Sequence, residues 1–174
     1  MKLSSYHKSI LTHNRYRHII VHIHTPSILM STNTENTTIT NNNNRTFITQ
    51  LDASTVASVA LDGHVSFNAS RIRKVEKNVV VVKEQNGKQK VAIISGGGSG
   101  HEPAMAGFVG EGFLHASVCG DVFASPSVEQ IMACIDDVLV HASEEKEGID
   151  SILLLVMNYT GDVVNFSIAR DRAR

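Results

Sequence analysis

From residue 51 to the end of the chain, hydrophobic positions follow two alternating periods. Short aliphatic runs occur at Val79–Val82, Val91–Ser95 and Ser151–Met157, and a more mixed one at Leu114–Cys119. Runs of this length, rich in β-branched residues, predict four buried strands. Between them the spacing becomes helical. Asp52 is placed to cap a helix through Leu61, with Val56 and Ala60 on one face. Pro103 suits the first turn of a helix running on through Val109. The clearest helix opens at Ser125-Pro126-Ser127, where Val128, Ile131, Ile135, Val138 and Leu139 form a stripe that leaves Glu129, Asp136 and Asp137 aside. A last helix is expected from Val163. Glu84-Gln85-Asn86-Gly87-Lys88 reads as a hairpin turn, because Asn-Gly readily takes positive φ. Strands alternating with helices predict an α/β fold, a layered and mostly parallel sheet with helices on both faces.

The first fifty residues lack these periods. They hold five of the nine histidines and a polar tract from Ser31 to Thr46 that includes Asn41–Asn44. Such a tract buries too little apolar surface to offset the entropy of ordering it, so residues 1–50 are expected to be a disordered extension. Residues 51–174 form the folded part. Ile19–Met30 is interrupted by His22, His24 and Thr25, which makes it a poor signal sequence, and Met30 is an alternative start. No run nears the ~18 apolar residues that span a bilayer.

Composition narrows the function classes. With 16 Lys+Arg against 17 Asp+Glu, the chain lacks the basic excess of a protein held to nucleic acid by phosphate contacts. Its two cysteines, Cys119 and Cys134, have neither metal nor redox spacing; they read as buried apolar side chains in a reducing, cytoplasmic setting. No metal site is expected.

The chemistry gathers at strand ends. Gly96-Gly97-Gly98-Ser99-Gly100 follows a strand and precedes a helix start, a geometry in which backbone N–H groups can face an oxygen-rich ligand. It is neither a Walker A motif nor a dinucleotide fingerprint, since no Gly-Lys-Ser/Thr follows and His101 takes the place of the third glycine. A tight strand-to-helix turn is the lesser, structural alternative for the glycines. At the same strand end, His101 can exchange a proton near neutral pH, or merely serve the helix start. Asp162, after the fourth strand, can act as base toward an alcohol, or cap the helix behind it. Both would enter the crevice where open α/β sheets hold ligands. Together they indicate a small, oxygenated ligand.

Three blocks carry a more specific signal: Val91 through Pro103, Cys119-Gly120-Asp121-Val122-Phe123-Ala124-Ser125-Pro126-Ser127, and Asn158-Tyr159-Thr160-Gly161-Asp162. In order and spacing they resemble the dihydroxyacetone kinase family, over roughly residues 51–174. The resemblance implies that dihydroxyacetone or glyceraldehyde sits on Gly98, Ser99, Gly100 and His101. It implies that His101 hydrogen-bonds the substrate and assists catalysis, and that Asp162 takes the proton of the hydroxyl being phosphorylated. ATP and Mg2+ are then implied as donor and cofactor, bound outside this chain, as part of triose and glycerol metabolism. Some relatives take phosphate from a phosphotransfer protein instead, and some split FAD.

Two departures stand out. Many family members carry a substrate-contacting lysine where this chain has Met157. The histidine that anchors substrate covalently lies downstream of anything present here, as does the ATP-binding part. The resemblance therefore leads us to expect a substrate domain cut short on its C-terminal side and inactive alone. The partners expected are the missing remainder or an ATP-binding domain, and a second copy of the chain. The alternative is a non-catalytic module that binds dihydroxyacetone for regulation.

Overall fold

The structure, a computed structural model, describes residues 18–24, 53–76, 78–83, 89–144 and 149–174. Asp52 and the turn at residues 84–88 lie outside the described residues, as do residues 1–17 and 25–50.

Among the described residues, six strands and three α-helices follow one another: β1 (His18–His24), α1 (Ala53–Phe67), β2 (Ile72–Val75), β3 (Val79–Val82), β4 (Val91–Ser99), β5 (Ala116–Val122), α2 (Val128–Glu144), β6 (Ser151–Met157) and α3 (Thr160–Arg172). They build a single sheet in the order β1-β6-β4-β5-β3-β2. The β1–β6, β6–β4 and β4–β5 pairs are parallel, whereas β3 and β2 are antiparallel. This is the layered, mostly parallel α/β fold that the hydropathy pattern implies.

Strand alternation divides the core between two faces. Val79 and Val81 turn to one side, where they join Ile94, Val118, Ile152, Leu154 and Val156 beneath α2 and α3. Val80 turns to the other and packs with Leu61 of α1, Ile72, Ala106 and Cys119. Helix α2 buries the expected stripe, Val128, Ile131, Ile135 and Val138, together with Cys134, while Leu139 is partly buried. Each such side chain contributes roughly 1.5–3 kcal/mol on leaving water. Its start is fixed by a reciprocal cap: the Gln130 N–H donates to Ser127 Oγ at 3.2 Å, and the Ser127 N–H donates to Gln130 Oε1 at 2.8 Å.

Four expectations need correction. Part of the segment expected to be disordered, residues 18–24, is the edge strand β1. Helix α1 runs past Gly63 to Phe67 and buries Ala57 and Leu61, whereas Ala60 is exposed. No α-helix begins at Pro103: turns lead into a single 3-10 turn, Ala106–Phe108, within a stretch whose Gly107, Gly110 and Gly112 disfavour helix. Helix α3 starts at Thr160, so Asp162 lies in its first turn, and Tyr159 occupies the cap position.

Candidate functional site

The outgoing connection of β4 passes to the α1 side, where Ala106 is buried against Leu61. That of β6 passes into α3, whose Phe166 lies in the core of the other side. Adjacent parallel strands whose connections leave toward opposite faces open a crevice at their carboxyl ends. His101 follows the first strand and Asp162 the second.

The glycine run is mostly strand rather than loop, because β4 extends through Ser99. Its glycines answer close neighbours. A Cβ on Gly96 would stand 2.4 Å from the Val118 carbonyl oxygen, and one on Gly98 3.0 Å from Ala124 backbone atoms. Gly100, at φ +109°, makes the turn. The side chain of Ser99 is 3 % exposed, and its hydroxyl donates to the Gly120 carbonyl at 2.7 Å, tying β4 to β5. Phe123 N–H returns a bond to the Ser99 carbonyl at 2.8 Å. The Glu102 carboxylate accepts from Gly100 N–H at 3.1 Å. Asn165 of α3 donates to the Pro126 carbonyl at 2.8 Å, which fixes the β5–α2 connection from the other side.

Asp162 is 2 % exposed, and its Oδ1 is buried without a hydrogen-bond partner. Ser125 hydrogen-bonds the carboxylate. Burial raises its pKa above the usual carboxylate value; the Ser125 bond and the nearby charge of His101 oppose that rise without cancelling it. A Cβ on Gly97 would lie 3.9 Å from Asp162 Oδ2 and 3.8 Å from Met157 Cγ. Asp162, Met157 and the glycine strand therefore meet. His101 is exposed at the rim of the crevice and close enough for its charge to act on Asp162.

The structure thus gathers Gly98, Gly100, His101 and Asp162 around one strand end, while the Ser99 hydroxyl is committed to β5. Glu102 lies within Val91–Pro103 and Ser125 within Cys119–Ser127, but their contacts are not legible in the sequence, since each depends on how the chain turns after a strand. Among the described residues, no three or more His, Cys, Asp or Glu side chains are grouped to hold a metal ion. Burial pushes the thiol pKa of both Cys119 and Cys134 up, which keeps them protonated. A cavity of about 580 Å3 lies elsewhere, lined by His64, Arg71, Phe108 and Phe113, and takes in neither His101 nor Asp162.

The family described as the Dak1 domain matches residues 62–174, and the chain belongs to it. It is 48% identical over 107 residues to the dihydroxyacetone kinase of Citrobacter freundii, covering 62% of this chain and 18% of that one. It is 45% identical over 118 residues to the dihydroxyacetone-binding subunit DhaK of a PTS-dependent dihydroxyacetone kinase of Listeria innocua, covering 68% and 33%. The crystal structure of the C. freundii kinase in its native form superposes with a TM-score of 0.62 at 41% identity, over 74% of this chain and 23% of that one. That kinase has also been solved with AMP-PNP and Mg2+. The chain spans about a fifth to a third of the length of these relatives.

Proposed function

We propose that this chain is the triose-binding part of a dihydroxyacetone or glyceraldehyde kinase, inactive alone and working with an ATP-binding domain that holds the nucleotide and Mg2+. The observation that carries this reading is the buried, unpartnered Oδ1 of Asp162 beside the glycine strand. A desolvated carboxylate with a raised pKa is a stronger base than one in water. As the substrate hydroxyl oxygen attacks the terminal phosphorus of the donor, its proton passes to Asp162; the bond from that phosphorus to the bridging oxygen breaks, and the nucleoside diphosphate leaves. His101 holds the substrate by a hydrogen bond at the rim. Gly98 and Gly100 let the ligand approach the backbone, and Ser99 keeps the strand end in place. Met157, standing where many family members carry lysine, supplies no cation to this side of the crevice. The buried free thiols suit the cytoplasm we assign to the protein.

The reading is tested by titrating the chain with dihydroxyacetone calorimetrically. The expected result is saturable binding that His101→Ala weakens by about tenfold or more, the worth of one hydrogen bond to a polar ligand, while His64→Ala leaves it unchanged. Equal losses in both variants would take His101 out of the site. Adding the remainder of a relative, its downstream histidine and ATP-binding part together, should then give phosphorylation; binding that never leads to turnover would support the regulatory alternative.

A further inference from the structure

Phe123 occupies a position that the folding of this chain alone does not account for. Its φ of +54° lies in the left-handed region, which bulky side chains rarely adopt. Its side chain is 82% exposed, whereas Phe166 is fully buried in the core. Strain and exposure both work against stability, yet the conformation is held by the bond from its N–H to the Ser99 carbonyl at 2.8 Å. That bond folds the segment after β5 over the glycine strand. The ring carbons Cε1, Cζ and Cδ1 come to 3.1, 3.2 and 3.5 Å from the point a Gly100 Cβ would occupy. The ring is therefore seated on the turn that precedes His101. β5 and β6 flank β4, so the strand end has two walls. Met157 and Asp162 stand on the β6 side and Phe123 on the β5 side.

We propose that Phe123 is the apolar wall of the ligand crevice and sets the length of carbon chain it accepts. This rests on the reading of the crevice as a triose site. A three-carbon hydroxy-ketone lying on Gly98–His101 presents its C–H surface to the ring, which covers it from water and leaves its hydroxyls to the polar groups at the strand ends. A four-carbon ketose needs room on the β5 side that the ring occupies. Strained backbone concentrates at functional sites, and here it places an exposed apolar ring on the glycine turn that precedes His101.

The test compares the full chain with Phe123→Ala, Phe123→Leu and Phe123→Gly, each titrated with dihydroxyacetone and with the four-carbon ketose erythrulose. Removing the ring should weaken dihydroxyacetone by about tenfold, leave the four-carbon ligand unchanged or tighter, and so shift the preference between them. Leucine, still apolar, should recover most of the loss. Glycine, which tolerates positive φ, should raise the melting temperature by roughly 2–4 °C while affinity falls; a ring with a purely structural role would lower both. Should Phe123→Ala fold poorly, the leucine and glycine variants decide. If the parent chain binds dihydroxyacetone and all three variants bind it within about twofold, the wall is overturned and the triose site stands. If the parent chain binds neither ligand, the triose reading itself fails, and the wall with it.

Discussion

At the scale of single residues, the two oxygens of Asp162 share a carboxylate but not a surrounding, for Oδ1 is sealed from solvent and unpaired while Oδ2 lies toward Gly97. Because its folded pKa is raised, the native state favours the protonated form. Stability from this group is thus full below the unfolded value of 3.8 and is lost as pH rises through the folded value, so at neutral pH the charged carboxylate destabilises the fold. Asp162→Asn should therefore raise stability at pH 7 by about 1 kcal/mol, read by denaturant midpoint, while abolishing phosphorylation in the assembled kinase. Less stability at pH 7 would mean that the carboxylate is structural. His115 behaves in the opposite sense at the other end of the sheet. Its Nδ1 accepts the Ile93 N–H at 3.0 Å, its Nε2 lies near Gln89 Oε1, and burial lowers its pKa below 6.5. Protonation would set two donors face to face across β4 and β5. Stability is then constant above pH 6.5 and falls as pH drops below it, toward the folded value. His115→Asn, whose Oδ1 can accept the same N–H, should flatten that slope in urea unfolding between pH 5 and 8. An unchanged slope would assign it to other groups.

At the scale of elements, the glycines separate into those that fit a close neighbour and those that do not. A Cβ on Gly120 would meet the Ala124 carbonyl oxygen at 2.1 Å, a backbone atom with no room to yield, whereas nothing lies within 4 Å of one on Gly63 in α1. Gly120→Ala should destabilise by about 3 kcal/mol or more, while Gly63→Ala should stabilise by roughly 0.5–1 kcal/mol through helix propensity. Thermal melts of the two variants moving in the same direction would contradict this account. The contrast also shows what can be read from sequence. Strand β6 was legible to the residue, because an unbroken aliphatic run between polar flanks has one good solution. The stripe of α2 was legible for the same reason. Strand β2 was not, since Ile72-Arg73-Lys74-Val75 looks like surface until Arg73 reaches Asp137 on α2 and Lys74 reaches Ser58 and Asp62 on α1. The candidate site was half legible as geometry. Strand ends and glycines named His101 and Asp162, but the burial of Asp162 and the positive φ of Phe123 depend on which segments cross over the strand, and no local pattern encodes that.

At the scale of the whole molecule, the described residues cover the two faces of the central strands unequally. Ile152, Leu154 and Val156 of β6 are buried under α2 and α3, while Ser151, Leu153, Leu155 and Met157 on the opposite face are only half buried. Beside Leu155 a cavity of about 290 Å3 runs between Ile93, Ser95, Met105, Phe108 and Phe113. Parallel strands carry aliphatic residues on both faces because both are normally covered, and an apolar face left in water drives association. We therefore expect the chain to self-associate through this face, with a homodimer as the simplest closed form. Leu155→Ser tests the expectation, because a half-buried position tolerates a polar side chain at modest cost in stability, whereas Leu154→Ser, fully buried, should unfold the chain. Sedimentation velocity should show Leu155→Ser shifted toward monomer with its circular dichroism unchanged. Were the parent chain monomeric across the micromolar range, the half-covered face would be tolerated in water. Were Leu155→Ser to associate as strongly as its parent, the contact would have to run through another surface, and the exposed ring of Phe123 at the crevice would be the next to change.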